Sequence, residues 1–259
     1  MIRFPLRLTA DLTMARIAQK LPFAREVRPI QFLDAAEILH HDSNHPVSHE
    51  KIREVIGSRS PVVWIGGSEP LHHPGIAHLV RAITGSGHFV FLETDGTLLR
   101  RRIHEFQPVP QLFLTVCLEP GAQRHSSKSL WAGALERAAE GIRAARLSGF
   151  LTCIHARVSP ENELNAAGEL IDLAHSLDVD GCVISSASCE SNSAPPATQT
   201  LSQKTAKARK RIGSIWWESF SRLVEPALHG VPRLVPLTGA STVHLEREAS
   251  ADEEGIKVV

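Results

Sequence analysis

Residues 61–99 read PVVWIGGSEPLHHPGIAHLVRAITGSGHFVFLETDGTLL, and this stretch decides the fold. It opens on an apolar, β-branched run, Pro61 to Ile65, which reads as a strand buried on both faces. Two glycines and Pro70 then break the pattern. Pro74 stands where a first helical turn would begin, and Ile76, Leu79, Val80 and Ile83 follow at helical spacing until Gly85 and Gly87 end the element. A second apolar run, His88 to Glu93, comes next. Strand, helix and strand with such short connections require parallel pairing and a right-handed crossover.

Working outward, the same alternation runs from residue 28 to about 187. The further strands expected are Pro29 to Leu33, Leu112 to Leu118, Phe150 to His155 and Gly181 to Ser185. The clearest helix is Leu130 to Leu147, where Leu130, Ala134, Leu135, Ala138, Ile142 and Ala145 make one apolar stripe before Gly149 stops it. Six βα units leave a doubly wound sheet or an open or closed barrel. Four segments are expected: an amphipathic helix within residues 1–24, the α/β core over 25–189, a flexible linker over 190–211, and a helix with a tail over 212–259. In the first, Leu8, Leu12, Ala15 and Ile17 oppose Arg7, Asp11, Arg16 and Lys20, a pattern that suits packing on the core or lying on a lipid surface. The linker is rich in Ser, Ala, Thr, Pro and Lys and has no apolar period.

Composition excludes several classes. With 259 residues, of which 42% are apolar, the chain can bury a sizeable core. Lys+Arg and Asp+Glu are 28 each, so no basic field draws it to nucleic acid, and no nucleic-acid partner is expected. Cys117, Cys153, Cys182 and Cys189 are too few and scattered for a disulfide framework, which fits a reducing cytoplasm. No apolar run reaches the roughly 18 residues that would span a bilayer, so membrane contact is expected only peripherally, through residues 5–21. There is no Gly-x-Ser-x-Gly elbow, no Walker loop, and no Gly-x-Gly-x-x-Gly after a strand.

In parallel α/β architectures ligands bind where strands end, so the loop Gly66-Gly67-Ser68-Glu69-Pro70 draws attention. Its glycines let backbone approach a ligand, Glu69 offers a carboxylate to an ammonium or to the loop itself, and Pro70 stiffens it. Thr94, Asp95, Glu119, His125, His155, Arg157 and Ser185 lie at or just past other strand ends. Taken together, Gly-Gly-Ser-Glu-Pro-Leu-His-His-Pro and Glu93-Thr94-Asp95-Gly96-Thr97, in this order after consecutive strands, resemble the radical S-adenosylmethionine (SAM) superfamily, and the spacing is most similar to its hopanoid-biosynthesis branch. The resemblance covers roughly residues 1–187. It implies a partial, six-stranded (β/α) TIM-like barrel with a site at its open top. It also implies a small-molecule ligand, SAM, held by Gly66, Gly67, Ser68, Glu69, Pro70, Thr94, Asp95, Glu119, His155 and Ser185, with backbone at Gly66, Gly67 and Glu69 facing the methionine amino group.

One departure separates this chain from the superfamily pattern. Members hold a [4Fe–4S] cluster on Cys-x3-Cys-x2-Cys after the first strand, whereas residues 34–46 here read DAAEILHHDSNHP, with no cysteine. Such clusters depend on thiolates, so a [4Fe–4S] cluster is not expected. This points to a SAM- or nucleotide-binding or regulatory pseudoenzyme. Four alternatives stay open. His40, His41 and His45, with Asp42 and His49 nearby and His72 and His73 near the same mouth, could hold a mononuclear metal. Cys117, Cys153 and Cys182 could gather a metal inside the barrel, or the chain could be an active member with atypical cluster ligands. Finally, the barrel could serve a protein partner, docking through residues 5–21 or the Trp216-Trp217 helix.

Overall fold

The computed structural model describes residues 5–19, 28–35, 49–119, 128–158, 170, 172–186, and the helical positions 220, 221, 224 and 228. Six parallel strands form one sheet: β1 (Ile30–Asp34), β2 (Val62–Gly66), β3 (Phe89–Thr94), β4 (Leu112–Leu118), β5 (Leu151–Val158) and β6 (Gly181–Ser186). Their spatial order is their order in the chain, so every crossover steps the same way. Right-handed crossovers then place all connecting helices on one face, and the sheet curls into a half-barrel around the other. Each strand starts within one residue of its expected place, and β5 runs furthest past its expected end.

Outside the sheet pack α2 (His49–Ile56), α3 (Ile76–Gly85), the short α4 (Leu99–Arg102), α5 (Lys128–Leu147) and helical residues 172–176. Ile76, Leu79, Val80 and Ile83 of α3 are all buried against the sheet, as their spacing requires. Pro74 lies just before this helix rather than in its first turn, because Gly75 is the capping residue. Ala138, Ala139, Ile142 and Ala145 bury one side of α5, and Gly149, at φ +88°, ends it.

The strands alternate strictly between two cores. Leu33, Val63, Ile65, Val90, Leu92, Leu114, Val116, Ile154 and Ile184 face the helices. Ile30, Val62, Trp64, Phe89, Phe91, Phe113, Leu151, Cys153 and Val183 face inward. Phe91 stacks on Trp64 at 5.2 Å, on Phe113 at 4.3 Å and on Phe220 at 4.9 Å, giving the half-barrel an aromatic floor. Beneath it, α1 (Leu6–Gln19) contributes Leu8 and Leu12 to the same cluster, and Phe220, Val224 and Leu228 bring in the helix expected after residue 212. Ile17 does not join the buried stripe and is 51% exposed, since it lies about two and a half turns beyond Leu8, on the opposite side of the helix. Among the described residues no helix is long and apolar enough to cross a membrane. Linker 190–211 and the tail lie outside the described residues.

Candidate site at the open end of the barrel

The two motif loops are locked to each other by one buried carboxylate. Glu69 Oε1 accepts the Leu71 N–H at 3.0 Å and the Thr94 hydroxyl at 2.7 Å, while Oε2 accepts the Asp95 N–H at 2.8 Å. Thr94 Oγ1 accepts in turn from the Gly96 N–H at 3.1 Å, and Asp95 Oδ1 takes both the N–H and the hydroxyl of Thr97. Pro70 opens the 3-10 turn Pro70–His72, with Glu69 as its cap. Of the two roles open to Glu69 in the sequence, the structure shows the bracing one. Burial, then the Asp95 carboxylate, push the Glu69 carboxyl up to about 7, against the hydrogen bonds it accepts. The turn at Gly96 is itself seated on α5, where a side chain at Gly141 would stand 2.9 Å from the Gly96 carbonyl oxygen.

Gly66 and Gly67 are glycines for reasons the geometry supplies. A Cβ on Gly66 would sit 2.7 Å from Glu93 Oε2. Gly67 has φ +83°, and a Cβ there would fall 2.5 Å from Asp34 Oδ1. The Asp34 carboxylate, at the end of β1, thus lies directly against this backbone, with the Ser68 N–H at 3.5 Å.

Inside the barrel, two residues beyond the floor on β3 to β6, the inward row turns polar at Glu93, Thr115, His155 and Ser185. Trp64 Nε1–H donates to Glu93 Oε2 at 2.7 Å. Glu93 Oε1 meets His155 Nδ1 at 2.7 Å, and His155 Nε2 meets Ser185 Oγ at 2.7 Å. The imidazole also stands edge-on to Trp64 at 5.5 Å. Cys117 is the register partner of His155 across β4 and β5, and its thiol is bonded to Glu93. Burial raises the Glu93 carboxyl, but the charge and hydrogen bond of His155, with bonds from Trp64 and Cys117, outweigh it and hold the group below the ordinary carboxylate range. Burial, followed by the Glu93 charge, pushes the Cys117 thiol well above its usual value. Arg157 is buried just above His155, and Glu119 is half-buried past the end of β4.

The structure therefore sorts the expected residues into two groups. Gly66, Gly67, Ser68, Glu69, Pro70, Thr94 and Asp95 form the braced rim, and His155 and Ser185 belong to the interior row. Trp64, Glu93 and Cys117 complete that row. Glu93 was not singled out in the sequence because it reads as the first residue of the Glu-Thr-Asp-Gly turn. The cysteine trio does not form: Cys182 packs among the helix-facing side chains, whereas Cys153 belongs to the inward core. Strand alternation puts these two on opposite faces. His73 turns into its own loop, its Nδ1 accepting the Gly75 N–H at 2.9 Å, and His72 is exposed, so they are not a convergent pair. His40, His41 and His45 lie outside the described residues, as do His125, Cys189 and Trp216-Trp217.

No family model matches the chain. Over 113 residues, 43% of its length, it is 33% identical to the AdoMet-dependent heme synthase of Methanosarcina barkeri (strain Fusaro / DSM 804). The match takes in 32% of the synthase, so the chain spans about a third of the length of that curated relative. Similar solved structures include the crystal structure of archaeal TYW1, at 19% identity and a TM-score of 0.37 over 52% of this chain and 45% of that one. Another is TYW1 with a lysine-pyruvate adduct bound, at 16% identity and a TM-score of 0.40 over 71% and 54%.

Proposed function

We propose that this chain is a radical-SAM-like barrel that has kept a pocket for S-adenosylmethionine or a related nucleoside and has lost cluster assembly, acting as a binding or regulatory pseudoenzyme. The observation that carries the reading is the Glu69–Thr94–Asp95 brace, which holds the Gly66-Gly67-Ser68 backbone at the barrel mouth, in a chain whose sequence has no cysteine over residues 34–46. A [4Fe–4S] cluster does not fit the donors present. Residues 34–46 contain no cysteine to supply a thiolate, and the cysteines of β4, β5 and β6 do not share one face. The amino-acid end of an adenosyl ligand does fit: the Asp34 carboxylate lies beside the Gly67 backbone, where it would pair with an ammonium. The chain's own residues would then bind and orient the ligand without initiating radical chemistry. Residues 5–21 remain a proposed peripheral or partner contact.

Isothermal calorimetry on the full chain with S-adenosylmethionine, S-adenosylhomocysteine and ATP tests this. Saturable binding of an adenosyl ligand is expected, weakened at least about tenfold by Asp34→Asn through loss of a charge-assisted bond. Absence of heat and of any thermal shift with all three would contradict it.

A further inference from the structure

The interior row carries a second candidate site, which adjoins the proposed adenosyl pocket at Gly66 and takes in His155 and Ser185 but uses none of residues 66–69 as ligands. A carboxylate oxygen of Glu93, the sulfur of Cys117 and a ring nitrogen of His155 all lie within 4.8 Å of one another. We propose that these three side chains bind a single divalent cation of borderline softness, Zn2+ being the best match, with a fourth position left for water or an anionic oxygen.

Four features support the assignment. The donor set is one nitrogen, one oxygen and one sulfur, a mixture that suits zinc and that magnesium or calcium would not select. Tetrahedral ligands at zinc distances stand about 3.4–3.8 Å apart, so Glu93 Oε1 and His155 Nδ1, now hydrogen-bonded at 2.7 Å, would part by about 0.7 Å as the ion replaces the proton between them. One carboxylate, one thiolate and one neutral imidazole sum to two negative charges, so a dication balances the charge of its own donor set. Two of the three ligands, Glu93 and His155, also have an outer partner in place. Trp64 Nε1–H holds the second oxygen of Glu93, and Ser185 Oγ sits on His155 Nε2, leaving Nδ1 toward the cluster. Three protein ligands and one open position is the arrangement of a working zinc rather than a structural one.

The test uses the untagged full chain, stripped with chelator and titrated with Co2+ under argon. One equivalent should produce a sulfur-to-cobalt charge-transfer band in the near ultraviolet and the visible bands of four-coordinate cobalt, both erased by Zn2+. Cys117→Ser should abolish the near-ultraviolet band. Ser185→Ala should keep it while weakening affinity on the order of 10–100-fold. His40→Ala with His41→Ala should leave it unchanged. Zinc-edge X-ray absorption of the unaltered protein, which needs no variant to fold, should show one sulfur among the donors. A stripped, folded protein with no charge-transfer band would overturn the proposal. So would a band that survives Cys117→Ser, or a zinc shell of nitrogen and oxygen alone.

Discussion

The two faces of the same six strands do different work. The helix-facing side is mainly aliphatic, with Val63 and Ile65, Val90 and Leu92, Leu112, Leu114 and Val116, and turns polar at Thr94 and Thr152 near strand ends. The inward side changes character over a single step of two residues: Trp64 gives way to Gly66, Phe91 to Glu93, Cys153 to His155, and Val183 to Ser185. Because side chains alternate with period two, the sheet can secure its stability on one face and grade the other from floor to site without altering its backbone. Trp64 joins the two, stacking on Phe91 in the floor while its Nε1–H donates to Glu93.

The sharpest way to break that division is to remove the floor. Phe91→Ala deletes a ring stacked on three others and should cost about 3–5 kcal/mol, lowering the urea midpoint more than Leu92→Ala one residue along on the helix side. Equal losses would mean the floor is no better packed than the outer layer.

Next in size is the charge stored in the brace. Glu69 has a folded pKa of about 7 against an ordinary 4.5, so the folded chain holds its proton more tightly than the unfolded one. Its contribution is present in full below pH 4.5 and is lost as pH rises through 7, amounting to about 3 kcal/mol. Denaturation from pH 4 to 8 should show this decline in the parent and not in Glu69→Gln; parallel slopes would contradict it.

A smaller effect, about 1–3 kcal/mol, is expected for Gly66→Ala, whose Cβ must displace Glu93 Oε2 from 2.7 Å. That variant should disturb the interior row while leaving α3 and the helix-side core intact, as hydrogen exchange would show. Smallest of all, Arg100→Ala removes an exposed pair with Glu140 and should shift stability by less than about 1 kcal/mol. A larger loss would mean that the outer surface carries more of the fold than its aliphatic core implies.

Much of this was legible in the sequence, and the failures have reasons. Apolar β-branched runs punctuated by glycine located the strands because a parallel sheet buries both faces. The rim was read through the resemblance of its two motifs, and the brace itself was not legible, since Glu69 meets Thr94 and Asp95 only once β2 and β3 are paired. The interior row was no more so, because Glu93, Cys117 and His155 come from three strands and meet only once register is set. Yet a clue was present: a carboxylate closing the buried run FVFLE must find a partner. Cys182 misled because the sequence places cysteines on neighbouring strands without fixing which face each takes. The misread Ile17 shows a stripe extended one position too far on a helix whose apolar arc is narrow.

The central claim is that the braced mouth of this barrel is held without an iron–sulfur cluster. Anaerobic reconstitution of the full chain with iron and sulfide, followed by gel filtration, metal analysis and visible spectroscopy, tests it most directly. The account predicts substoichiometric iron and no charge-transfer absorption. About four irons and four sulfides per chain, with the matching spectrum, would contradict it.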